Sequence, residues 1–325
     1  MIYSIQYMRA IAAILVLLSH IGMKSVQNST GVLGWFQGFG GIGVDLFFII
    51  SGFIMAYITQ VKETTLPSFF KARFIRILPL YWFLTTAALI VYLFFPGLVN
   101  SSGGETSIVC SYLLIPSEYK YLVNNGWTLS YEFYFYFLFA LAMFASYQYR
   151  NAIAATILLI LVILGIIYDH QAFLLSDFLL EFLFGIFVFC VFFKNEFIKG
   201  YFYSSLFLII SAALFFLLDT NIRAIDNGFP MLFLFISILL LEAIFINNQG
   251  NVFLKFFERI GDSSYSLYLI HPFVLSLCAL VFGKVFPIEY PWIYAFFLFG
   301  ISLLGGYWCY VFIEKKLNKL ARRLL

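Results

Sequence analysis

A cation and an imidazole share the first apolar stretch of the chain, at Arg9 and His20. Their spacing of eleven residues is almost three helical turns, so both side chains fall on one face of a helix, about 16 Å apart along its axis. Ionisable groups near the centre of a membrane helix cost about 2.5–3.5 kcal/mol each, which favours a functional role. A guanidinium binds anions, and an imidazole accepts protons. The alternative is a cytoplasmic anchor at Arg9 and an interfacial residue at His20.

Two carboxylates in other apolar stretches are candidates to act beside His20. Asp45 follows the glycine-rich segment 40–43, and we expect it at the same depth as His20. A buried carboxylate beside an imidazole fixes the tautomer of the ring and raises its basicity. Asp45 could also cap an interrupted helix, which leaves a role with His20 open. Glu132 lies inside an aromatic helix, so we expect it to be functional or structurally paired.

Two arginines, Arg73 and Arg76, precede the third apolar stretch. Residues three apart are neighbours on one face of a helix. Two guanidinium groups that converge at the membrane surface make a clamp for phosphate groups. The alternative is a pair of ordinary basic residues on the cytoplasmic side of the membrane.

Four further ionisable residues carry weaker signals. His271 directly precedes Pro272 in an apolar stretch, so it either lines a cavity or bonds to carbonyls that the proline leaves without a donor. For Glu181 in the sixth predicted helix and Glu242 in the eighth we favour structural pairing. His170 lies in a predicted loop, where a solvated side chain is the simplest interpretation.

The composition is that of a polytopic membrane protein. Of its 325 residues, 63% are hydrophobic and only 11% are charged, against about 25% charged residues in soluble domains. No basic run with interleaved aromatic residues suggests a nucleic-acid partner. The four cysteines have neither the spacing of a zinc site nor that of a disulfide framework, and no metal site is predicted.

Apolar windows of about 20 residues predict ten membrane helices in an all-α protein with a single domain, 1–325. The predicted limits are 8–23, 40–60, 76–95, 127–146, 151–168, 173–193, 201–218, 229–246, 263–283 and 292–312. The first helix follows a short leader without a convincing cleavage site, so we expect it to remain as an anchor.

The basic residues of the loops predict the orientation. With ten helices, fifteen of the 19 basic residues fall on one side, which places both termini in the cytoplasm. The larger group comprises Arg9, Lys62, Lys71, Arg73, Arg76, Arg150, Lys194, Lys199, Lys255, Arg259, Lys315, Lys316, Lys319, Arg322 and Arg323. The other side carries Lys24, Lys120, Arg223 and Lys284. The basic tail 313–325 is expected either to lie on anionic lipid or to serve only as a topology anchor.

Five motifs in chain order resemble the acyltransferase-3 family of integral-membrane acyltransferases, in particular the O-acetyltransferases of exopolysaccharide and O-antigen. They are Arg9-x10-His20, the segment Gly43–Ile54, Arg73-x-x-Arg76, the segment Gly126–Glu132 and the segment Ser264–His271. The resemblance implies a multi-pass protein of the bacterial inner membrane. It also implies acetyl-coenzyme A as acyl donor and a carbohydrate hydroxyl, free or lipid-linked, as acceptor. By family pattern Arg9, His20, Arg73 and Arg76 are functional positions, while Asp45, Glu132 and His271 match family motifs.

Under this resemblance the nucleotide of the donor is expected on Arg73 and Arg76, with Arg9 as a deeper contact. His20 is then the general base for the sugar hydroxyl, or, in the alternative mechanism, a nucleophile that carries the acyl group. Asp45 or Glu132 would orient its ring. The tetrahedral oxyanion also needs hydrogen-bond donors, and the candidates are Ser51, Trp127 and Tyr131.

Two other functions fit parts of the pattern. Buried ionisable groups along one stripe also suit a transporter of an acyl group or a lipid-linked saccharide. No pair of repeated halves with matching broken helices supports that interpretation. A membrane scaffold without catalysis would have little reason to retain Arg9, His20, Asp45 and Glu132.

Overall fold

Helices make up nearly all the regular structure of the protein. Its computed structural model describes residues 2–27, 31–99, 104–168, 172–193, 200–220, 222–282 and 290–324. Within these ranges the β structure is limited to one isolated bridge between Thr106 and Lys120. The predicted all-α fold is confirmed. His170, Lys194, Lys199 and Lys284 lie outside the described residues.

The helices, numbered in chain order, are α1 (Tyr3–Gln27), α2 (Phe39–Val61), α3 (Leu66–Phe94), α4 (Pro96–Val99), α5 (Ile108–Leu113), α6 (Gly126–Ala145), α7 (Arg150–Ile167), α8 (Phe178–Val188), α9 (Tyr201–Leu217), α10 (Phe229–Leu239), α11 (Glu242–Asn247), α12 (Val252–Phe282), α13 (Pro291–Cys309) and α14 (Lys315–Leu324). Short π-helical segments follow α8, precede α10 and join α13 to α14, at Phe189–Phe193, Ala224–Gly228 and Tyr310–Glu314.

Eight helical segments in the described part of the chain are long and apolar enough to cross a membrane. They are Tyr3–Gln27, Gly34–Val61, Leu66–Phe94, Gly126–Ala145, Arg150–Ile167, Phe173–Phe193, Val252–Phe282 and Pro291–Leu324. Two shorter apolar helices, Tyr201–Leu217 and Ala224–Leu239, coincide with the seventh and eighth predicted spans. Each predicted span thus overlaps an apolar helix, while the number of crossings and the side of the termini stay predictions.

Several helices extend beyond the predicted apolar limits. Helix α3 begins at Leu66, so Arg73 and Arg76 belong to the same helix as the apolar residues that follow. Helix α12 likewise begins at Val252. Apolar windows end at charged residues, whereas the backbone hydrogen bonds of a helix continue through them. The tail 313–325 is helical over Lys315–Leu324, and its last residue lies outside the described residues.

The predicted span 229–246 is interrupted, and this corrects the position of Glu242. Helix α10 ends at Leu239, and Glu242 is the first residue of α11. Its carboxylate accepts hydrogen bonds from the backbone N–H groups of Tyr3 and Ser4, at 2.8 and 2.6 Å. The first N–H groups of a helix lack partners within it, and a negative charge is favourable there. Glu242 therefore caps α1, which is a structural pairing.

The chain divides into two compact units. The first comprises Met1–Ala12, Gly41–Phe69 and Tyr131–Gly261, and the second comprises Ala13–Gly40, Phe70–Ser130 and Asp262–Leu325.

The first unit is built on close contact between α2 and α8. A Cβ atom at Gly52 would collide with the carbonyl of Phe182, and one at Gly185 would collide with the carbonyl of Ile49. Glycine at both positions lets the two backbones touch. The ring of Phe182 stacks on that of Phe135, with centroids 4.3 Å apart. This packing fixes the position of α2 and α8 along each other, and with it the relative position of the polar residues on the two helices.

In the second unit, α3 and α12 hold the residues that begin α6. The Tyr81 hydroxyl of α3 donates to the carbonyl of Ser111, at 2.6 Å. A Cβ atom at Gly126 would lie 2.6 Å from the same hydroxyl, so only glycine admits this approach without displacing Tyr81. Asn125, next in the chain, donates from Nδ2 to the carbonyl of Tyr268 on α12, at 2.6 Å. The start of α6 is thereby tied to both helices.

Candidate active site

A hydrogen bond to the backbone fixes the tautomer of the neutral His20 ring. Its Nδ1 lies 2.9 Å from the carbonyl oxygen of Val16, one turn earlier in α1. A carbonyl oxygen only accepts hydrogen bonds, so in the neutral ring Nδ1 carries the hydrogen and Nε2 presents a lone pair. The place at Nδ1 that an orienting carboxylate would occupy is therefore taken by a backbone carbonyl. His20 is half-buried, and its basic nitrogen is Nε2.

A second imidazole, that of His271, lies against the first. The two ring centroids are 4.7 Å apart, and the rings meet edge to face with an angle of 72°. Nδ1 of His271 lies 3.0 Å from the carbonyl oxygen of Leu267, so this ring is oriented in the same way as His20. His271 is 1% exposed, and its Nε2 has no hydrogen-bond partner among the described residues. A buried acceptor left in this state costs about 1–3 kcal/mol, which a ligand donor would offset.

The carbonyl that Pro272 leaves without a helical donor has a partner in Asn125. Pro272 has no N–H, so the carbonyl of Tyr268, four residues earlier, loses its helical donor. That carbonyl accepts the hydrogen bond from Asn125 at 2.6 Å. The hydroxyl groups of Thr128 and Tyr268 add a second contact of 2.9 Å between α6 and α12. Asn125 thus supplies a donor to the carbonyl that Pro272 leaves without one, and the choice between the two roles of His271 stays a prediction.

The second unit has an apolar cavity of about 280 Å³, and two of its wall residues are the chain neighbours of His271 and Asn125. Its walls include Leu122, Val123, Asn124 and Pro272. Trp127, a predicted oxyanion donor, is half-buried and is the second residue of α6 in the same unit. The two histidines are the candidate active site, and Trp127 and this cavity belong to the same unit.

The three predicted donor-binding arginines lie on α1 and α3. Arg9 is half-buried on α1, and its Nη1 donates to Oε1 of Gln6 at 3.2 Å. Arg73 is half-buried and Arg76 is exposed on α3. Because these two residues are three apart in one continuous helix, their side chains share a face. This arrangement leaves Arg76 accessible to a charged ligand.

Asp45 is paired with an arginine that sequence reasoning did not single out. Its Oδ1 accepts hydrogen bonds from Nη2 and Nε of Arg223, at 2.7 and 3.1 Å. Helix α2 begins at Phe39, so Asp45 is well inside the helix and does not cap it. A carboxylate buried in an apolar helix needs a cation. Arg223 is one of only four basic residues on the predicted outer side of the membrane. A basic residue that is rare on that side is the sequence signal that could have marked it as the partner of a buried carboxylate.

Glu132 has two hydroxyl partners in the first unit. Its Oε1 accepts from Ser51 Oγ at 3.0 Å and from the hydroxyl of Tyr136. The expectation that this carboxylate is paired is met by these contacts. Because the Ser51 hydrogen is donated to Glu132, Ser51 in this arrangement does not offer it to an oxyanion. Tyr131 packs instead among aromatic rings, with its centroid 4.4 Å from that of Phe173.

The ten predicted site residues divide equally between the two units. The first unit holds Arg9, Asp45, Ser51, Tyr131 and Glu132, and the second holds His20, Arg73, Arg76, Trp127 and His271. In the described part of the chain, no group of three or more His, Cys, Asp or Glu side chains could hold a metal ion.

Comparison with known proteins gives two matches. The family model of acyltransferase 3, described as an acyltransferase domain, matches residues 2–311. The chain is 30% identical over 254 residues to the exopolysaccharide production protein ExoZ of Rhizobium meliloti (strain 1021), across 74% of this chain and 78% of that relative. No solved structure matches the chain. Both matches agree with the resemblance carried by the five motifs.

Proposed function

Because the chain belongs to the acyltransferase-3 family, we propose that this membrane acyltransferase is an O-acetyltransferase that esterifies a carbohydrate hydroxyl. Acetyl-coenzyme A is the proposed donor. The named role of the relative in exopolysaccharide production supports a cell-surface polysaccharide, or its lipid-linked precursor, as acceptor. The observation that carries the proposal is the lone pair of His20 Nε2, directed by the hydrogen bond of Nδ1 to Val16.

The proposed reaction is direct transfer with His20 as general base. The sugar hydroxyl gives its proton to Nε2 of His20 as its oxygen attacks the thioester carbonyl carbon. The C–O bond forms, the tetrahedral intermediate collapses, and the C–S bond breaks. The proton then passes from the imidazolium to the departing sulfur, which yields the ester and free coenzyme A. General-base catalysis of this kind contributes about 10²–10⁴ in rate.

Neighbouring groups support each stage of this reaction. The Val16 carbonyl accepts from Nδ1–H and stabilises the imidazolium as it forms. His271 fixes the plane of the His20 ring by edge-to-face packing, so we assign it as a positioning residue. The indole N–H of Trp127 is a donor only, which suits a developing oxyanion. The arginines Arg73 and Arg76 are the proposed contacts for the phosphates of the donor.

The charged nucleotide end of the donor suits the arginines, and its thioester end suits His20. The predicted orientation places Arg73 and Arg76 at the cytoplasm, where the charged nucleotide is available. His20 lies eleven residues beyond Arg9 in the continuous helix α1, which is about 16 Å towards the other face. A long donor with charge at one end and a thioester at the other suits this separation. We accordingly propose a multi-pass protein of the bacterial inner membrane.

The test of this proposal is reconstitution with labelled donor. The protein in lipid nanodiscs receives acetyl-coenzyme A labelled in the acetyl group and de-esterified surface polysaccharide from the strain that encodes the chain. The expected result is base-labile label on the polysaccharide and one free thiol for each ester formed. Label that crosses a vesicle membrane without ester formation would instead show a transporter. Label trapped on His20 in the absence of acceptor would show the acyl-histidine mechanism and contradict direct transfer.

A further inference from the structure

We propose that the basic helix α14 is a docking surface for the headgroups of anionic phospholipids. The helix continues the apolar segment that starts at Pro291, which is long and apolar enough to cross a membrane. It therefore begins where that segment reaches the bilayer surface. The lipid partner is independent of the proposed acyl transfer reaction. Helix α14 has no acidic residue, and its basic residues are Lys315, Lys316, Lys319, Arg322 and Arg323.

Aromatic side chains mark the level of the membrane surface beside α14. Tyr307 and Trp308, in the last turn of α13, are 42% and 62% exposed. Tyrosine and tryptophan are enriched at the level of the lipid headgroups, because their rings combine an apolar body with a polar edge. Nζ of Lys315 lies 4.4 Å from the centroid of the Tyr310 ring. The first basic residue of α14 thus lies beside this aromatic belt, within reach of lipid phosphates.

The charges of α14 favour a negatively charged surface as partner. Lys319 lies three or four residues from each of the other basic residues of the helix, and like charges at these spacings destabilise a helix. All five basic side chains are exposed. The acidic residue next to α14 in the chain, Glu314, is 4% exposed and accepts a hydrogen bond from Ser266 on α12 at 2.6 Å. A layer of anionic headgroups would supply the charge that offsets this repulsion.

Leucine side chains on one face of α14 favour a bilayer over a soluble anion. Leu317, Leu320 and Leu324 are three and four residues apart, so they form one stripe along the helix. Leu320 and Leu324 are 53% and 76% exposed. An amphipathic helix with a basic polar face buries such a stripe at the boundary between headgroups and acyl chains. The phosphates of acetyl-coenzyme A would match the charges but leave the leucines in water, which is why we assign phospholipid.

The test is amide hydrogen exchange of the full chain in lipid nanodiscs, followed by mass spectrometry of peptides from α14. Nanodiscs of phosphatidylcholine alone are compared with nanodiscs of phosphatidylcholine and phosphatidylglycerol. The amides of α14 should exchange at least about tenfold more slowly in the anionic mixture. This ratio of exchange rates should shrink at high ionic strength, which screens exposed charges. Equal exchange rates in the two lipids would overturn the proposal.

Two variants of α14 test the charges and the leucine stripe separately. Lys319→Gln/Arg322→Gln/Arg323→Gln removes three charges, and Leu320→Gln/Leu324→Gln removes the exposed leucines, while glutamine keeps a good helix propensity. Each variant should lose most of the slowing that phosphatidylglycerol causes. Because the readout is the ratio of exchange rates in the two lipids, a change of helix stability common to both lipids cancels. A wild-type ratio in either variant would overturn the proposal.

A matched variant controls for the loss of charge elsewhere in the protein. Lys62→Gln/Lys71→Gln/Lys255→Gln removes three exposed charges outside α14 and should keep the wild-type ratio. A ratio lowered as far as in the α14 charge variant would make net charge the cause and would overturn the proposal. Acetyl-coenzyme A added to phosphatidylcholine nanodiscs is the last comparison. If it slows the exchange of α14 while phosphatidylglycerol does not, the helix binds a soluble anion and the lipid assignment is wrong.

Discussion

The imidazole rings of His20 and His271 lie edge to face in the second unit, with centroids 4.7 Å apart. In each ring Nδ1 meets the carbonyl oxygen four residues earlier, that of Val16 or of Leu267. Both rings therefore present Nε2 as the acceptor nitrogen. The first and last of the five motifs thus bring two imidazole rings into contact. This contact gives His271 the role of holding the ring of His20, the proposed base.

His271→Asn should lower kcat about tenfold with little effect on the KM of the donor, because the variant removes the ring that fixes His20 but no donor contact. Steady-state kinetics at saturating polysaccharide provides the measurement. His271→Phe is the companion variant, since it keeps an aromatic edge and should retain more activity than Asn. Equal kcat values for the wild type and both variants would remove the positioning role from His271.

Asn125→Ala should destabilise the protein by about 1–3 kcal/mol, because the Tyr268 carbonyl then lacks a donor. Pro272→Ala restores an N–H at position 272, which can bond to the same carbonyl. Asn125→Ala should therefore lower the free energy of unfolding less in the Pro272→Ala background than in the wild type. Unfolding of the wild type, the two single variants and the double variant in one detergent gives this double-mutant cycle. Asn124→Ala, at an exposed neighbouring position, serves as control. Additive effects of the two substitutions would contradict the assigned hydrogen bond.

The ion pair of Asp45 and Arg223 should show strong coupling. Asp45→Leu alone and Arg223→Met alone each leave a buried or half-buried charge without its partner, at a cost of about 3–5 kcal/mol. The double variant should be clearly more stable than the sum of the single effects predicts. Lys255→Met, at an exposed position of α12, controls for the loss of a charge. If the loss of stability in the double variant equals the sum of the two single losses, the two side chains are not coupled.

Arg73→Ala and Arg76→Ala should each raise the KM for acetyl-coenzyme A about tenfold and leave the acceptor KM unchanged, since a charge-assisted hydrogen bond to phosphate is lost. The effect should shrink at high ionic strength, which screens exposed charges. Lys71→Ala, at an exposed position of the same helix, is the matched control. Equal losses for donor and acceptor would indicate a folding defect rather than a donor site.

The order and approximate limits of the apolar helices could be predicted from the sequence because hydropathy is a local property. An ionisable group in an apolar stretch is likewise visible without any neighbour, which is why His20, Asp45 and Glu132 are candidates from sequence alone, while their roles stay proposals. Apolar windows place the starts of α3 and α12 too late in the chain, because charged residues end an apolar window but not a helix.

The partners of the buried groups could not be predicted in the same way. Arg223 is 178 residues from Asp45 in the chain, and Asn125 is 143 residues from Tyr268. Such pairs depend on which helices pack together, and neither spacing nor periodicity reports that. Pro272 did signal a carbonyl in need of a donor, but an isolated sequence does not say which amide supplies it.

The most direct test of the central claim is the rate of acetyl ester formation by His20→Gln at saturating acetyl-coenzyme A. Glutamine keeps a polar side chain but cannot take up the proton of the sugar hydroxyl. The account predicts a fall in kcat of at least about a hundredfold, with donor binding by equilibrium dialysis equal to that of the wild type. A His20→Gln protein that forms ester at the wild-type rate would contradict the assignment of His20 Nε2 as the base.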